Sequence, residues 1–163
     1  MDLILEDVER ALDAKLFYVA LSVALSLPGV CAALEQVDGS TSGQDKRLYM
    51  DWYDRYLAAG YPYLTALDCY SLRCGVIHQG RFGHGKMQYA RVVFTIGDTL
   101  HKNILNDALN LDISLFCRDV VAAVRQWEID KSLNLTVRRN LPLLVKYRPE
   151  GMAPYVKGAP VIS

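Results

Sequence analysis

The 163-residue sequence predicts an all-α protein: a helical bundle with one short β-strand or hairpin inserted near residues 89–96. Three observations support this. Apolar residues recur at three- and four-residue steps in several long segments, which is typical of amphipathic helices. Apolar residues make up 52% of the chain and charged residues 22%, as in soluble globular proteins. One run, Val-Val-Phe-Thr-Ile at 92–96, is rich in β-favouring residues.

The length predicts one domain over residues 1–163. We expect a bundle core at about 3–130 and a basic, proline-interrupted C-terminal extension at about 132–163. The first helix is predicted over 3–26, and its second half is apolar nearly all round, which favours a central position in the bundle. Pro28 and Gly29 predict its end, with a short helix following at about 28–36.

Three further helices are predicted at about 46–58, 65–79 and 110–130. Thr65 is the expected N-cap of the second of these. Its expected packing residues are Leu67, Tyr70, Leu72, Cys74 and Ile77. Residues 80–86 are glycine-rich and predict a loop. Beyond 132 the prolines predict an irregular tail that wraps the bundle or a partner.

The formal net charge is zero, which excludes a strongly basic coat for nucleic acid. Residues 1–80 hold 11 acidic and 6 basic residues, a balance of −5, and residues 81–163 hold 7 and 12, a balance of +5. Three interpretations remain open for this split: a basic face for phosphates, a contact between oppositely charged surfaces of two subunits, and a solvated tail.

The four cysteines and the first residues of the chain suggest the cellular compartment of the protein. The chain begins Met-Asp-Leu-Ile-Leu-Glu-Asp, unlike the basic start of a secretory signal. The apolar stretch Leu16–Leu27 is shorter than the roughly 20 residues that a bilayer requires. We therefore expect a cytoplasmic protein with reduced thiols and no membrane association.

Three kinds of site are weakly supported. Gly80–Met87 matches most of the phosphate-binding loop pattern, but Met87 replaces the hydroxyl residue and a helix precedes the loop. Cys69, Cys74, His78 and His84 are potential zinc ligands, although buried structural cysteines are the simpler interpretation. No serine- or cysteine-nucleophile motif is present. We predict no metal and no cofactor.

Arg73 and His78 form the strongest candidate site. Histidine can transfer a proton near neutral pH, and arginine can hold a phosphate and stabilise charge that develops on it. These are the groups needed to cleave RNA without a metal. Five helical steps place the two residues about 140° apart on the helix, so the arginine must swing to meet the histidine. A structural histidine at a helix end is the alternative.

Residues 67–80, Leu-Asp-Cys-Tyr-Ser-Leu-Arg-Cys-Gly-Val-Ile-His-Gln-Gly, resemble the R-x₄₋₆-H signature helix of the HEPN superfamily. The resemblance extends loosely over residues 3–130. It implies a helical bundle, a homodimer and, in active members, metal-independent cleavage of RNA at the dimer cleft, with Arg73 and His78 as catalytic residues. Cys74 departs from the pattern, because in many active members a polar residue such as Asn, Asp or His follows the arginine.

The resemblance suggests an endoribonuclease of the toxin or defence kind, under the control of a partner protein or antitoxin. The internal 2′-hydroxyl nucleophile would leave a 2′,3′-cyclic phosphate and a 5′-hydroxyl. Arg81, His84 and Lys86 follow directly and are expected to contact RNA phosphates, an ordinary polar loop being the alternative. The competing functions are an inactive RNA- or nucleotide-binding module and a structural dimer.

Overall fold

The computed structural model of the protein describes residues 1–82, 91–97 and 100–163. The helices are α1 (Asp2–Asp13), α2 (Phe17–Leu34), α3 (Asp45–Tyr56), α4 (Ala66–Gln79), α5 (Ile113–Asp130) and α6 (Leu135–Asn140). The strands are β1 (Arg91–Thr95), β2 (Asn103–Leu105), β3 (Ala108–Asp112), β4 (Tyr147–Arg148), β5 (Gly151–Met152), β6 (Val156–Lys157) and β7 (Val161–Ile162).

The prediction of an all-α fold is wrong. Helices account for 56% and strands for 14% of the described residues, and the strands form three small sheets, so the fold is mixed α/β. The largest sheet has the order β1-β3-β2, with β1 parallel and β2 antiparallel to β3. The strand expected near 89–96 corresponds to β1, but it pairs across the sheet with β3 and not with an adjacent hairpin strand.

A hairpin formed by β2 and β3 accounts for half of the missed strand residues, and β4 to β7 account for the rest. Asn106 and Asp107 connect the two strands with φ values of 49° and 60°. A tight hairpin turn needs positive φ at both central residues, and Asn and Asp tolerate it better than most side chains. The helix predicted from about residue 110 therefore begins at Ile113, after β3. Asp112 caps it by accepting a hydrogen bond from the Leu115 amide at 2.9 Å.

The predicted single helix over 3–26 is also wrong, because the chain breaks earlier. α1 ends at Asp13, and Lys15 adopts a left-handed φ of 59° before α2 begins. Pro28, the predicted helix breaker, lies inside α2 and is buried. Packing against α1, α3, α4 and α5 holds α2 in place, which confirms its predicted central position. Tertiary burial here outweighs the local cost of a proline in a helix.

α4 begins as its sequence predicts, but only part of its predicted packing face lies in the core. Thr65 is the N-cap, and its hydroxyl and the Asp68 side chain form a reciprocal capping box. The buried apolar residues of the helix are Ala66, Cys69, Leu72 and Val76. Of the predicted packing residues, Leu72 is buried and the half-buried Tyr70 packs against the core, as expected, whereas Ile77 is exposed. Arg73 and Cys74 lie half-buried on the outward side of the helix.

α2 is long and apolar enough to cross a membrane by length and composition. Half of its 18-residue window is buried inside the protein, among four other helices. An apolar composition of this kind is also typical of a helix in the centre of a bundle.

The C-terminal segment, residues 131–163, adds little to the core. After α6 it forms two antiparallel pairs of two-residue strands, β4 with β7 and β5 with β6. Asn140 attaches α6 to the end of α2, since its amide nitrogen donates to the carbonyls of Leu34 at 3.1 Å and Gln36 at 2.7 Å. The expectation of a tail interrupted by prolines agrees with these short elements.

Candidate functional site

Arg73 and His78 lie on the outward side of α4, with His78 in its last turn. Gly80 ends the helix with a left-handed φ of 63°, a conformation that glycine adopts at little steric cost. The Tyr18 hydroxyl of α2 donates to the Val76 carbonyl at 2.7 Å. Both ends of the last turn are thereby held, and His78 is presented at an exposed helix end.

The two candidate catalytic side chains meet directly. Arg73 Nη1 lies 3.1 Å from His78 Nε2, although the residues are five positions apart. The long arginine side chain covers the angle that separates them on the helix. A guanidinium can only donate hydrogen bonds, so Nε2 of His78 is the acceptor and the neutral imidazole carries its proton on Nδ1. Nε2 is the atom whose lone pair would accept a proton from a substrate.

Three further residues lie around Arg73, and neither Tyr70 nor Asp45 was assigned to the site from the sequence. Tyr70 lies one turn before Arg73, and its hydroxyl donates to Asp45 Oδ2 of α3 at 2.8 Å. Cys74 Sγ lies 3.9 Å from Arg73 Nη1. The spacing of Tyr70, Arg73 and Cys74 places them on one helix face and was a usable signal. Nothing in the sequence pairs Asp45 with Tyr70, which is 25 residues away.

The electrostatics of this cluster follow from its hydrogen bonds. The Tyr70 hydroxyl, followed by smaller contributions that include the charge of Arg73, holds the pKa of Asp45 below its usual value. Burial, then the bonds to Asp45 and Cys74, raise the pKa of Tyr70. At neutral pH the site therefore contains a carboxylate that only accepts hydrogen bonds and a phenol that donates one.

A groove of about 240 Å³ lies beside Arg73, between α2, α3 and α4. Its walls include Asp45, Tyr49, Tyr70 and Arg73, and the small residues Gly29 and Ala33 of α2 leave room for it. Tyr49 is buried, and its hydroxyl donates to the Leu25 carbonyl at 3.0 Å. The groove thus combines aromatic walls with one positive and one negative group.

The predicted phosphate contacts are only partly within the described residues. Arg81 is exposed, and its Nε donates to Gln79 Oε1 at 2.7 Å. His84 and Lys86 lie outside the described residues, as does most of the Gly80–Met87 loop pattern.

Within residues 1–82, 91–97 and 100–163, no group of three or more His, Cys, Asp or Glu side chains is placed to hold a metal ion. Cys69, one of the zinc ligands considered, is buried, with its sulfur 3.3 Å from the Tyr49 hydroxyl. Cys74 instead lies on the outward face. The two cysteines therefore do not converge.

A second polar cluster joins the β-sheet to α5. Asp119 Oδ2 accepts from the Tyr61 hydroxyl at 2.8 Å and from Lys102 Nζ at 3.0 Å. His101 Nδ1 accepts from the Asp112 amide at 3.0 Å, and burial followed by the charge of Lys102 lowers the pKa of His101. These contacts link Asp119 of α5 to Tyr61 and to Lys102, which precedes β2.

Comparison of the chain with family models, with curated proteins and with solved structures gives no significant match.

Proposed function

We propose that the chain is a metal-independent endoribonuclease of the HEPN type, acting at the cleft of a homodimer. The observation that carries the proposal is the contact of 3.1 Å between Arg73 Nη1 and His78 Nε2 at the exposed end of α4. It joins a phosphate-binding cation to a proton-transfer group whose Nε2 is freed when the arginine turns to a phosphate. A toxin or defence role, a cytoplasmic location and control by an antitoxin-like partner belong to the same proposal.

The mechanism begins when Arg73 turns from His78 to the scissile phosphate, which it can hold with two N–H donors. This movement frees Nε2 of His78, which takes the proton of the 2′-hydroxyl. The 2′-oxygen forms a bond to phosphorus, and the bond from phosphorus to the 5′-oxygen breaks. His78 of a second copy, in its protonated form, supplies the proton to the leaving 5′-oxygen. The products are a 2′,3′-cyclic phosphate and a 5′-hydroxyl.

Asp45 and Tyr70 compensate for Cys74, which replaces the usual polar residue after the arginine. A carboxylate beside Arg73 is supplied from α3 and is oriented by the Tyr70 hydroxyl at 2.8 Å. A carboxylate in this position favours a guanidinium that stays at the groove in the free protein. Asp45 thus adds a negative charge to the groove wall that Arg73 also lines, from another helix and not from the next residue in the chain.

Cleavage of a mixed RNA pool in the presence of EDTA tests the proposal. His78→Ala should lower the rate by about 10²–10⁴, the usual value of general acid–base catalysis, with little loss of RNA affinity. Arg73→Ala should lower both rate and affinity. Asp54→Ala, at an exposed position of α3 outside the site, is the control and should cleave like the wild type. Equal rates for His78→Ala and Asp54→Ala would refute the proposal, provided that both variants melt at the wild-type temperature.

Dimerisation is tested separately. Light scattering at micromolar concentration should give about twice the chain mass of 18.3 kDa. A monomer at every concentration would remove the second histidine from the mechanism.

An RNA- or nucleotide-binding module without catalysis is the second candidate, and the groove beside Arg73 favours it. Wild-type protein that binds RNA with a steep salt dependence but cleaves none of the pool would select this function. A structural dimer would neither bind nor cleave RNA.

A further inference from the structure

The groove between α2, α3 and α4 has the right position to hold part of a substrate. Arg73 belongs both to the groove wall and to the pair with His78. A nucleotide whose phosphate contacts Arg73 would therefore have its sugar and base within reach of the groove. This inference rests on the proposed function, because it takes the phosphate at Arg73 to be part of an RNA chain.

The chemistry of the groove walls suits a nucleobase. The half-buried ring of Tyr70 supplies aromatic surface, and the buried Tyr49 ring supports it from behind, edge-on with the centroids 5.4 Å apart. Single-stranded RNA is commonly read by aromatic contact with an unstacked base and by hydrogen bonds to its exposed edge. Gly29 and Ala33 of α2 also line the groove, where larger side chains would take up space.

The polar group at the groove restricts which base fits. Asp45 is exposed at the start of α3, and its Oδ2 already accepts from Tyr70. Because the carboxylate is ionised, it can only accept hydrogen bonds, and it can accept two side by side. Among the four RNA bases, guanine alone carries two adjacent donors, N1–H and N2–H₂, on its pairing edge. Adenine, cytosine and uracil each place an acceptor next to their donor, which would face the carboxylate unfavourably.

We propose that this groove is a guanine-binding subsite, in which Asp45 accepts from N1–H and N2–H₂ of a guanine whose neighbouring phosphate lies at Arg73. Tyr70 orients the carboxylate through its hydroxyl and contacts the base with its ring. The opposite charges of Asp45 and Arg73 match the two ends of a guanosine phosphate: donors at the base and an anion at the phosphate.

Calorimetric titration of the full chain with mononucleotides tests the subsite without any cleavage step. GMP should bind more tightly than AMP, CMP and UMP. Inosine monophosphate, which differs from GMP only by lacking the N2 amino group, should bind about tenfold more weakly, the scale of one lost base-specific contact. Equal affinity for GMP and inosine monophosphate would overturn the assignment.

Three variants separate the contributions. Asp45→Asn should lose the preference for GMP, because its amide presents a donor where guanine needs an acceptor. Asp54→Asn, an exposed aspartate further along α3, should behave like the wild type. Ala33→Leu should weaken every nucleotide by filling the groove while leaving Asp45 unchanged. If Asp45→Asn and Asp54→Asn bind GMP equally, the carboxylate does not read the base.

Sequencing the ends of cleaved RNA then distinguishes the subsite from the nuclease. Cleavage next to guanine in the wild type, spread over all bases in Asp45→Asn, supports both proposals. Cleavage without base preference, together with equal binding of all mononucleotides, overturns the subsite and leaves the nuclease. Selective GMP binding without any cleavage overturns the nuclease and supports a guanine-nucleotide-binding groove.

Discussion

The helices α1 to α5 and the C-terminal segment 131–163 are both rich in apolar residues but bury them very differently. Trp52 and Trp127 are fully buried in the bundle, as are many leucines of α1, α2 and α4. In the C-terminal segment Leu133, Leu135 and Leu143 are each at least 77% exposed, and of its residues only Val137 and Asn140 are buried. An apolar side chain stabilises the fold only where a neighbouring element covers it, so composition alone does not identify the core.

The largest stability effect is expected at Trp127, whose ring is fully buried and whose Nε1 donates to Glu35 Oε1 at 2.7 Å. Trp127→Ala should lower the free energy of unfolding by about 3–5 kcal/mol, since it leaves a large cavity in the core. Denaturant titration measures the loss. Trp127→Phe keeps most of the ring volume and isolates the hydrogen bond. A loss below about 1 kcal/mol in Trp127→Ala would contradict the distinction between the two regions.

Asn140 connects the regions, so its removal should loosen one of them selectively. Asn140→Ala leaves the Leu34 and Gln36 carbonyls without this donor, which is expected to cost about 1–3 kcal/mol. Amide hydrogen exchange should accelerate across residues 135–163 and stay slow in α2 and α5. Uniform acceleration along the chain would mean that the segment is part of the same cooperative unit as the bundle.

Acid should weaken the contacts that Glu35, at the end of α2, makes with Trp127, Arg55 and Lys131. Burial raises the pKa of this carboxyl, but the Trp127 hydrogen bond and the Arg55 and Lys131 side chains outweigh it and lower the pKa overall. A glutamate in the unfolded chain has a pKa of about 4.3. Because the folded-state pKa of Glu35 is lower, its contribution to stability is fully present above about pH 4.3. That contribution is lost as the pH falls through the folded-state pKa. Stability measured between pH 6 and pH 3 should therefore fall less steeply in Glu35→Gln than in the wild type. Identical slopes would show that other carboxylates dominate.

The smallest effect is expected in the exposed segment. Leu135→Ser should change the free energy of unfolding by no more than about 0.5 kcal/mol, as is usual for exposed positions. Thermal melting at two protein concentrations tests this. A large loss that grows on dilution would mean that the segment is covered by a second copy of the chain, and the comparison between the regions would then hold only for the monomer.

Sequence reasoning succeeded where local physics decides the structure. The N-cap at Thr65, the glycine end of α4 and the apolar stretch in α2 each follow from a few neighbouring residues. It failed where distant residues decide. Pro28 is tolerated because four helices surround α2. The end of β3 was assigned to a helix because its pairing with β1 and β2 was not recognised. The Asn106–Asp107 turn was a local signal that was overlooked.

The candidate site shows the same division. Arg73 and His78 were identified from their spacing on one helix, and the structure brings them together. Tyr70 was predicted as a core packing residue. The 3.6-residue period of α4 shows that apolar residues share a helix face, but it does not show which face packs inward. Asp45 could not have been found, because its contact with Tyr70 depends on how α3 packs against α4.

The distribution of the four thiols gives direct experimental access to the site. Cys31, Cys69 and Cys117 are buried, and burial raises the pKa of each, to about 12 for Cys69 and Cys117. Cys74 is the partly exposed one, next to Arg73. Thiolate-directed reagents should therefore label the native chain at one place, beside the candidate catalytic pair. A spin label or fluorophore attached there would report, without any engineered cysteine, how far apart the two copies of the site lie in an assembled protein.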